Sequence, residues 1–364
     1  MMFKPAYARV FILSLCCFLY GKMLFAQSAH PDNLELKAPA PVFIDPNYHG
    51  SCDPEVTWNE SAQQYFIYYT ARKGNQENTF LGTPIGVISS VDFIEWNFEG
   101  YCKFDGVGGD KDAGETFWAP AIISDNEFLH MFVTYKPDTL PTQGAWGGPG
   151  RIVHYKTTLD NPVDGWQKVG DMHDSTITAL DATVYKKGDW VHVWFKGKKR
   201  GASKNELYHL VSSDFKHWEN LGFSQSDVFN VAATGADFEE APYIFYWENS
   251  YWLITDPHNG LFVYKSADGE DWKFEGTILK EGGSRKFDTT MARHCSVAVK
   301  DGRAFIFYHV EPWRRYDLEK KKGKERVPIF KQPTMNRRSV LQMAELEVLN
   351  GQVVCDRDKS IVLN

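Results

Sequence analysis

Three acidic positions stand at the heads of apolar segments. Asp53 opens residues 52–56, Asp181 precedes Ala182 and Thr183, and the neighbours Glu239 and Glu240 precede Ala241, Pro242 and Tyr243. Two further segments begin in the same way without a carboxylate, one with Trp118 and one with Arg293, His294 and Cys295. A single acid at such a place is ordinarily a turn residue closing a loop. Three in register point to function, because an acid heading a buried strand is costly without a task. Carboxylates gathered from distant segments suit acid–base chemistry, in which one group takes a proton and another gives one. Trp118 and Tyr243 offer flat faces to a sugar ring or to blade packing. Arg293 and Lys196 offer donors for sugar hydroxyls or a carboxylate. His294 has no second protein ligand in evidence, and a lone His is ordinarily hydrogen-bonded rather than metal-bound.

The spacing of these segments predicts the elements that position them. A strand, a polar turn and an aromatic-rich strand recur at 55–70, 119–135, 182–195, 241–255 and 296–308. Their openings at 53, 119, 181, 240 and 294 are separated by 66, 62, 59 and 54 residues. A second motif alternates with the first. Asp precedes Trp by four residues, with Ser two before the Asp, at Ser90/Asp92/Trp96, Ser212/Asp214/Trp218 and Ser266/Asp268/Trp272. Thr158, Asp160 and Trp166 make a looser copy. Each copy follows a short β-rich run, and the pattern reads as strand, Ser/Asp-closed turn, then a strand carrying a buried Trp. Five copies of a four-stranded unit predict an all-β chain forming a single five-bladed β-propeller over 51–364. The first strand of each blade lines the axis, so the five openings converge. No Pro/Gly/Ser-rich linker divides the units, and the Lys-rich run 320–326 reads as a solvated loop.

Composition narrows the function. With 43% hydrophobic and 24% charged residues the chain is not disordered. A net charge of −7 argues against nucleic acid as partner, since phosphate binding needs a basic face. Twelve Trp, 17 Tyr and 25 Phe suit an all-β protein and also a sugar-binding cleft. Lys4 and Arg9 precede an apolar run at 10–20, about half the ~20 residues of a membrane helix. This predicts a signal peptide over 1–26, no membrane span, and export to the periplasm or beyond. Residues 27–50 then form an N-terminal extension. Cys52, Cys102, Cys295 and Cys355 remain after cleavage, without a CxxC pair, as free thiols or as disulfides.

The sequence resembles the five-bladed propeller glycosidases of glycoside hydrolase families 43 and 117. The resemblance rests on Asp53-Pro54-Glu55-Val56, Trp118-Ala119-Pro120, Asp181, Glu240-Ala241-Pro242-Tyr243 and Arg293-His294-Cys295-Ser296, in that order. Residues 337–346 with Cys355, Asp356 and Arg357 look more like family 117. The resemblance implies inversion at the anomeric carbon. It implies Asp53 as the base that activates water, Asp181 as the carboxylate that orients the acid and raises its pKa, and Glu240 as the acid. Agar-active family 117 members place a His where Glu239 stands, so Glu239 and Glu240 both remain donor candidates, with Glu240 preferred and Glu239 either supporting it from behind or contacting substrate. His294 matches an axial histidine of family 43 that holds a hydrated divalent cation such as calcium; no cofactor is otherwise required. The implied activity is exo-acting release of a terminal sugar from plant or algal oligosaccharides. The 117-like tail favours α-1,3-linked 3,6-anhydro-L-galactose, and the family 43 likeness favours α-L-arabinofuranose or β-xylose. The competing class is a non-catalytic carbohydrate-binding propeller.

Overall fold

A computed structural model describes residues 36–105, 115–223 and 226–363; the leader expected at 1–26 lies outside them. The described residues form a five-bladed β-propeller of four-stranded antiparallel blades. Blade one comprises Ser51–Asn59, Gln64–Ala71, Ile85–Ser90 and Asn97–Tyr101. Blade two comprises Thr116–Ser124, Phe128–Lys136, Arg151–Thr158 and Gln167–Asp171. Blade three comprises Ile177–Lys187, Trp190–Lys199, Glu206–Ser212 and Glu219–Phe223. Blade four comprises Glu240–Trp247, Ser250–Asp256, Leu261–Ser266 and Lys273–Ile278. Blade five comprises Arg293–Lys300, Arg303–Val310, Val340–Leu349 and Gln352–Val354. The five first strands touch one another around the axis, the fifth returning to the first.

Period-two alternation explains why the blades stack. Phe66 and Tyr68 face blade two while Ile67 and Tyr69, between and beyond them, face blade five. Each junction between neighbouring blades therefore has its own apolar cluster, and five such clusters replace a single core. Inner strands are covered on both faces; Ile85–Ser90 is buried at every position. Such strands read as continuous apolar runs rather than as alternations.

The Ser/Asp motif joins the third and fourth strands of a blade. Its carboxylate accepts two backbone N–H groups: Asp92 from Ile94 and Glu95, Asp214 from Lys216 and His217, Asp268 from Glu270 and Asp271. The Trp stands one residue before the fourth strand rather than on it. Trp166 and Trp272 are fully buried, whereas Trp96 and Trp218 are half-buried. Blade five has a two-residue hairpin in place of the motif, at Asn350 and Gly351 with φ of 54° and 82°.

The stretch before blade one closes the ring. Leu36–Lys37 pairs with Val362–Leu363, and Phe43 bridges to Leu341 of blade five. The fully buried Asp45 accepts the hydroxyls of Tyr69 (2.7 Å) and Tyr101 (3.0 Å) of blade one. Among the described residues Cys52, Cys102, Cys295 and Cys355 are free thiols. No helix among the described residues is long and apolar enough to cross a membrane.

Candidate active site

Every first strand carries a β-bulge at its head. Register shifts between Cys52 and Glu55, Trp118 and Ala121, Leu180 and Ala182, Glu240 and Tyr243, and Arg293 and Cys295. One residue in each bulge has left-handed backbone: Asp53 (φ 51°), Ala119 (43°), Asp181 (54°), Ala241 (52°) and His294 (25°). A bulge re-aims a side chain, and such conformations cost on the order of 1–3 kcal/mol each in non-glycine residues. The fourth register position is thus Ala241, not Glu240. Glu240 shares its place with Cys52, Trp118, Leu180 and Arg293, one residue earlier.

The bulge N–H groups explain how the ring is held. Asp53 donates to His309 Nδ1 (3.2 Å), Ala119 to Thr70 Oγ1 (2.9 Å), Asp181 to Thr134 Oγ1 (2.9 Å) and His294 to Asp256 Oδ2 (3.2 Å). Each acceptor lies on the second strand of the preceding blade, at one equivalent register position. In blade three that position is Lys196, opposite Leu180. An ammonium cannot accept, so the Ala241 N–H turns to Asp181 Oδ2 at 3.2 Å. Lys196 is left to reach Glu240 Oε2 at 3.4 Å.

Asp53, Asp181 and His294 form a neck on the axis. Above them opens a cavity of about 370 Å³; below lies a recess of about 20 Å³ that they share with Glu55 and Tyr243. His294 Nδ1 is 3.0 Å from Asp53 Oδ1, and its Nε2 is 3.4 Å from Glu240 Oε1 and 3.9 Å from Asp181 Oδ2. Burial alone would strip the imidazole of its proton, but Asp53, Asp181 and Glu240 push its pKa up to about 10. Asp181 is pushed up to about 6 by burial, with Glu240 and Asp53 adding to it against His294 and Lys196. Glu240 is half-buried, which would raise its pKa, yet His258 (2.6 Å), His294 and Lys196 hold its carboxyl well below the usual range. Arg293 leans on Asp256 (2.7 Å) and on Glu311 (3.4 Å), which also takes Arg72 and Arg314 (2.6 Å each).

The aromatic wall of the cavity is Phe80, Trp118, Trp146 and Phe238. Trp118 takes the place the sequence gives it, with its indole N–H on Phe80 O (3.0 Å). Two other candidates lie outside the cavity lining. Glu239 is fully buried outside the cavity, accepting from Tyr264 (2.6 Å), Thr255 (2.7 Å) and the Phe229 N–H (3.0 Å). It lies one residue further from the bulge, so its side chain points into the blade. Tyr243 lines the lower recess and donates its hydroxyl to Val297 O (3.1 Å), packing between blades.

A hydrated cation on the axis fits poorly. Both nitrogens of His294 face carboxylates, and the recess below has room for about one water. Asp181, Glu240 and His294 do cluster above the neck. There Glu240 already contacts His258 and faces Lys196 and Arg293, whose positive charge opposes a cation.

Sequence reasoning passed over Arg72, Lys136 and His258. They occupy equivalent places two residues after the bulge-holding acceptors Thr70, Thr134 and Asp256, as does Glu311 after His309. A polar–any–polar ending to each aromatic strand was the available signal. Trp146 and Arg314 lie on loops and left no periodic trace.

No protein-family model matches the chain, and no curated protein matches it in sequence. Its fold is similar to that of a thermostable family-43 glycoside hydrolase (TM-score 0.60, 16% identity, 86% of this chain and 96% of that one). It is similar also to an α-L-arabinofuranosidase from Lactobacillus brevis (0.57, 13%, 88% and 98%). A family 43 enzyme from Xanthomonas citri in complex with xylotriose is alike as well (0.58, 12%, 87% and 93%). At these identities the likeness is one of fold.

Proposed function

We propose that the protein is an exported, exo-acting, inverting glycoside hydrolase. The observation that carries this reading is the convergence of Asp53, Asp181 and Glu240 around one axial cavity, with a protonated imidazole between them. The structural neighbours that are glycosidases support it. The narrow recess supports exo action, because a chain entering the cavity has no way through the neck. The first substrate to try is an α-1,3-linked 3,6-anhydro-L-galactoside, followed by α-L-arabinofuranosides and β-xylosides.

In this reading a water attacks the anomeric carbon as Asp53 takes its proton. The glycosidic bond breaks, its electron pair goes to the leaving oxygen, and Glu240, having first taken a proton from His294 at 3.4 Å, passes that proton to the oxygen. Inverting enzymes keep base and donor about 6.5–9.5 Å apart to admit the water; an imidazole ring stands between Asp53 and Glu240. Asp181 holds the Ala241 N–H beside Glu240 and adds negative charge that favours a protonated donor. His294 touches both ends and can carry the proton from Asp53 back to Glu240.

One observation favours a second reading, in which His294 is itself the donor. In the free protein His294 holds the proton and Glu240 does not. The test is a screen of purified protein against defined algal and plant oligosaccharides, with Asp53→Asn as control. Release of a terminal sugar by the wild type, lost in the variant, supports the proposal; no hydrolysis, or equal activity in the variant, refutes it.

A further inference from the structure

We infer that the cavity recognises a saccharide bearing an anionic substituent, a carboxylate or a sulfate ester, through Lys136. The inference rests on the glycosidase reading for its sugar, but not on catalysis.

Lys136 ends the second strand of blade two and lines the cavity, yet is only 5% exposed. Every other cation of the cavity wall has a carboxylate within 4 Å. Arg72 and Arg314 lean on Glu311, Lys196 on Glu240, Arg293 on Asp256, and His294 on Asp53. Among the described residues Lys136 has none. Its ammonium donates to Trp146 O (2.6 Å) and lies 4.2 Å from the Trp118 ring centroid. One acceptor and one ring face leave the charge under-compensated, and a buried charge is costly until paired. Burial pulls the ammonium down to about 8, against the pull of Asp181 and Asp138, so it is still mostly charged at neutral pH.

The surroundings match a sugar with a charged edge. Trp118 and Trp146 meet edge to face at 6.3 Å, and Phe80 lies 4.1 Å from Trp146. Arg72 sits 5.3 Å over Phe80 at the far end of this wall. A sugar ring stacked on Trp118 or Trp146 would set an anionic substituent beside Lys136, which touches both residues.

The test uses D-galacturonate and galactose 6-sulfate against galactose, titrated by the fluorescence of the cavity tryptophans and by calorimetry. The expected result is that at least one anionic probe binds roughly ten- to a hundredfold more tightly than galactose, the worth of a charge-assisted hydrogen bond. Preference for galacturonate assigns the site to carboxylates and preference for the sulfate to sulfate esters. Lys136→Met should erase the preference and Lys136→Arg should restore part of it. Equal affinity for charged and neutral probes, or no binding of either anion by the wild type, overturns the inference whether or not the variants fold. Hydrolysis of neutral oligosaccharides without anion preference sinks this inference alone. Anion preference without hydrolysis of any oligosaccharide sinks the catalytic reading alone.

Discussion

Replacing Glu240 with Gln separates the donor from its neighbour Glu239. A positioned acid is worth about 10²–10⁴ in rate, or roughly 3–5 kcal/mol of barrier. Glu240→Gln should lose that much on a natural oligosaccharide. On an aryl glycoside, whose leaving group barely needs a proton, most activity should remain. The structure also sets a stability cost. Without the carboxylate, Arg293 keeps Asp256 (2.7 Å) and His294 keeps Asp53 (3.0 Å), but Lys196 keeps no carboxylate partner. The amide oxygen can still accept from it, so the expected loss is roughly 1–3 kcal/mol. Glu239→Gln should behave differently. Its carboxylate accepts three hydrogen bonds and donates none, and an amide NH₂ would face a donor. It should lose stability of similar size without any leaving-group dependence. The assay is kcat on both substrates, with urea midpoints for each variant. Selective loss in Glu239→Gln together with equal loss on both substrates in Glu240→Gln would refute the assignment. Selective loss in neither directs the test to His294→Gln.

Three further outcomes are expected. Asp53→Asn should cut kcat by about 10²–10⁴ while the protein stays folded and still binds sugar, measured by turnover and by titration; near-normal turnover removes Asp53 from the mechanism. Thr134→Val leaves the buried Asp181 N–H without its acceptor (2.9 Å) and should cost about 1–3 kcal/mol of stability, with a fall in kcat as Asp181 loses its aim; an unchanged urea midpoint contradicts this. Glu55 lies buried beside the axial recess with one hydrogen bond, from the Ile122 N–H (3.1 Å), and burial pushes its pKa up to about 8 from 4.5. The folded state therefore holds a proton that the unfolded chain releases, so wild-type stability should fall as pH rises from about 4.5 to 8. Glu55→Gln should remove that fall, gaining roughly 3–5 kcal/mol relative to wild type between pH 4.5 and 9; parallel pH profiles of the two proteins would contradict the account.

The propeller was legible because each blade repeats the same short requirements: an apolar strand pair, then a turn whose carboxylate must satisfy two N–H groups. Asp53 and Asp181 were legible because they fall on the bulge itself. The register of the fourth blade was not read correctly from its carboxylate. Matching Glu240-Ala241-Pro242 to Trp118-Ala119-Pro120 places Glu240 one residue before the bulge, as the structure does. For Tyr243 the sequence left sugar stacking and blade packing open, and the structure shows packing between blades, which a strict alternation cannot decide across a bulge. The protonated state of His294 was invisible, since it arises from Asp53, Asp181 and Glu240, carboxylates of three other blades brought within 4 Å only by ring closure. Lys136 and Arg72 stand at the ends of aromatic strands in the same way, and only burial and the lack or presence of a carboxylate partner tell them apart.

The stereochemistry of the first product tests the central claim most directly. The released sugar is followed by ¹H NMR from the first minutes of hydrolysis, before mutarotation equilibrates its anomers. The account predicts a first product of inverted anomeric configuration, formed by wild type and not by Asp53→Asn. A first product of retained configuration would mean that a protein carboxylate, not water, attacks the sugar, and would contradict the assignment of Asp53 as base.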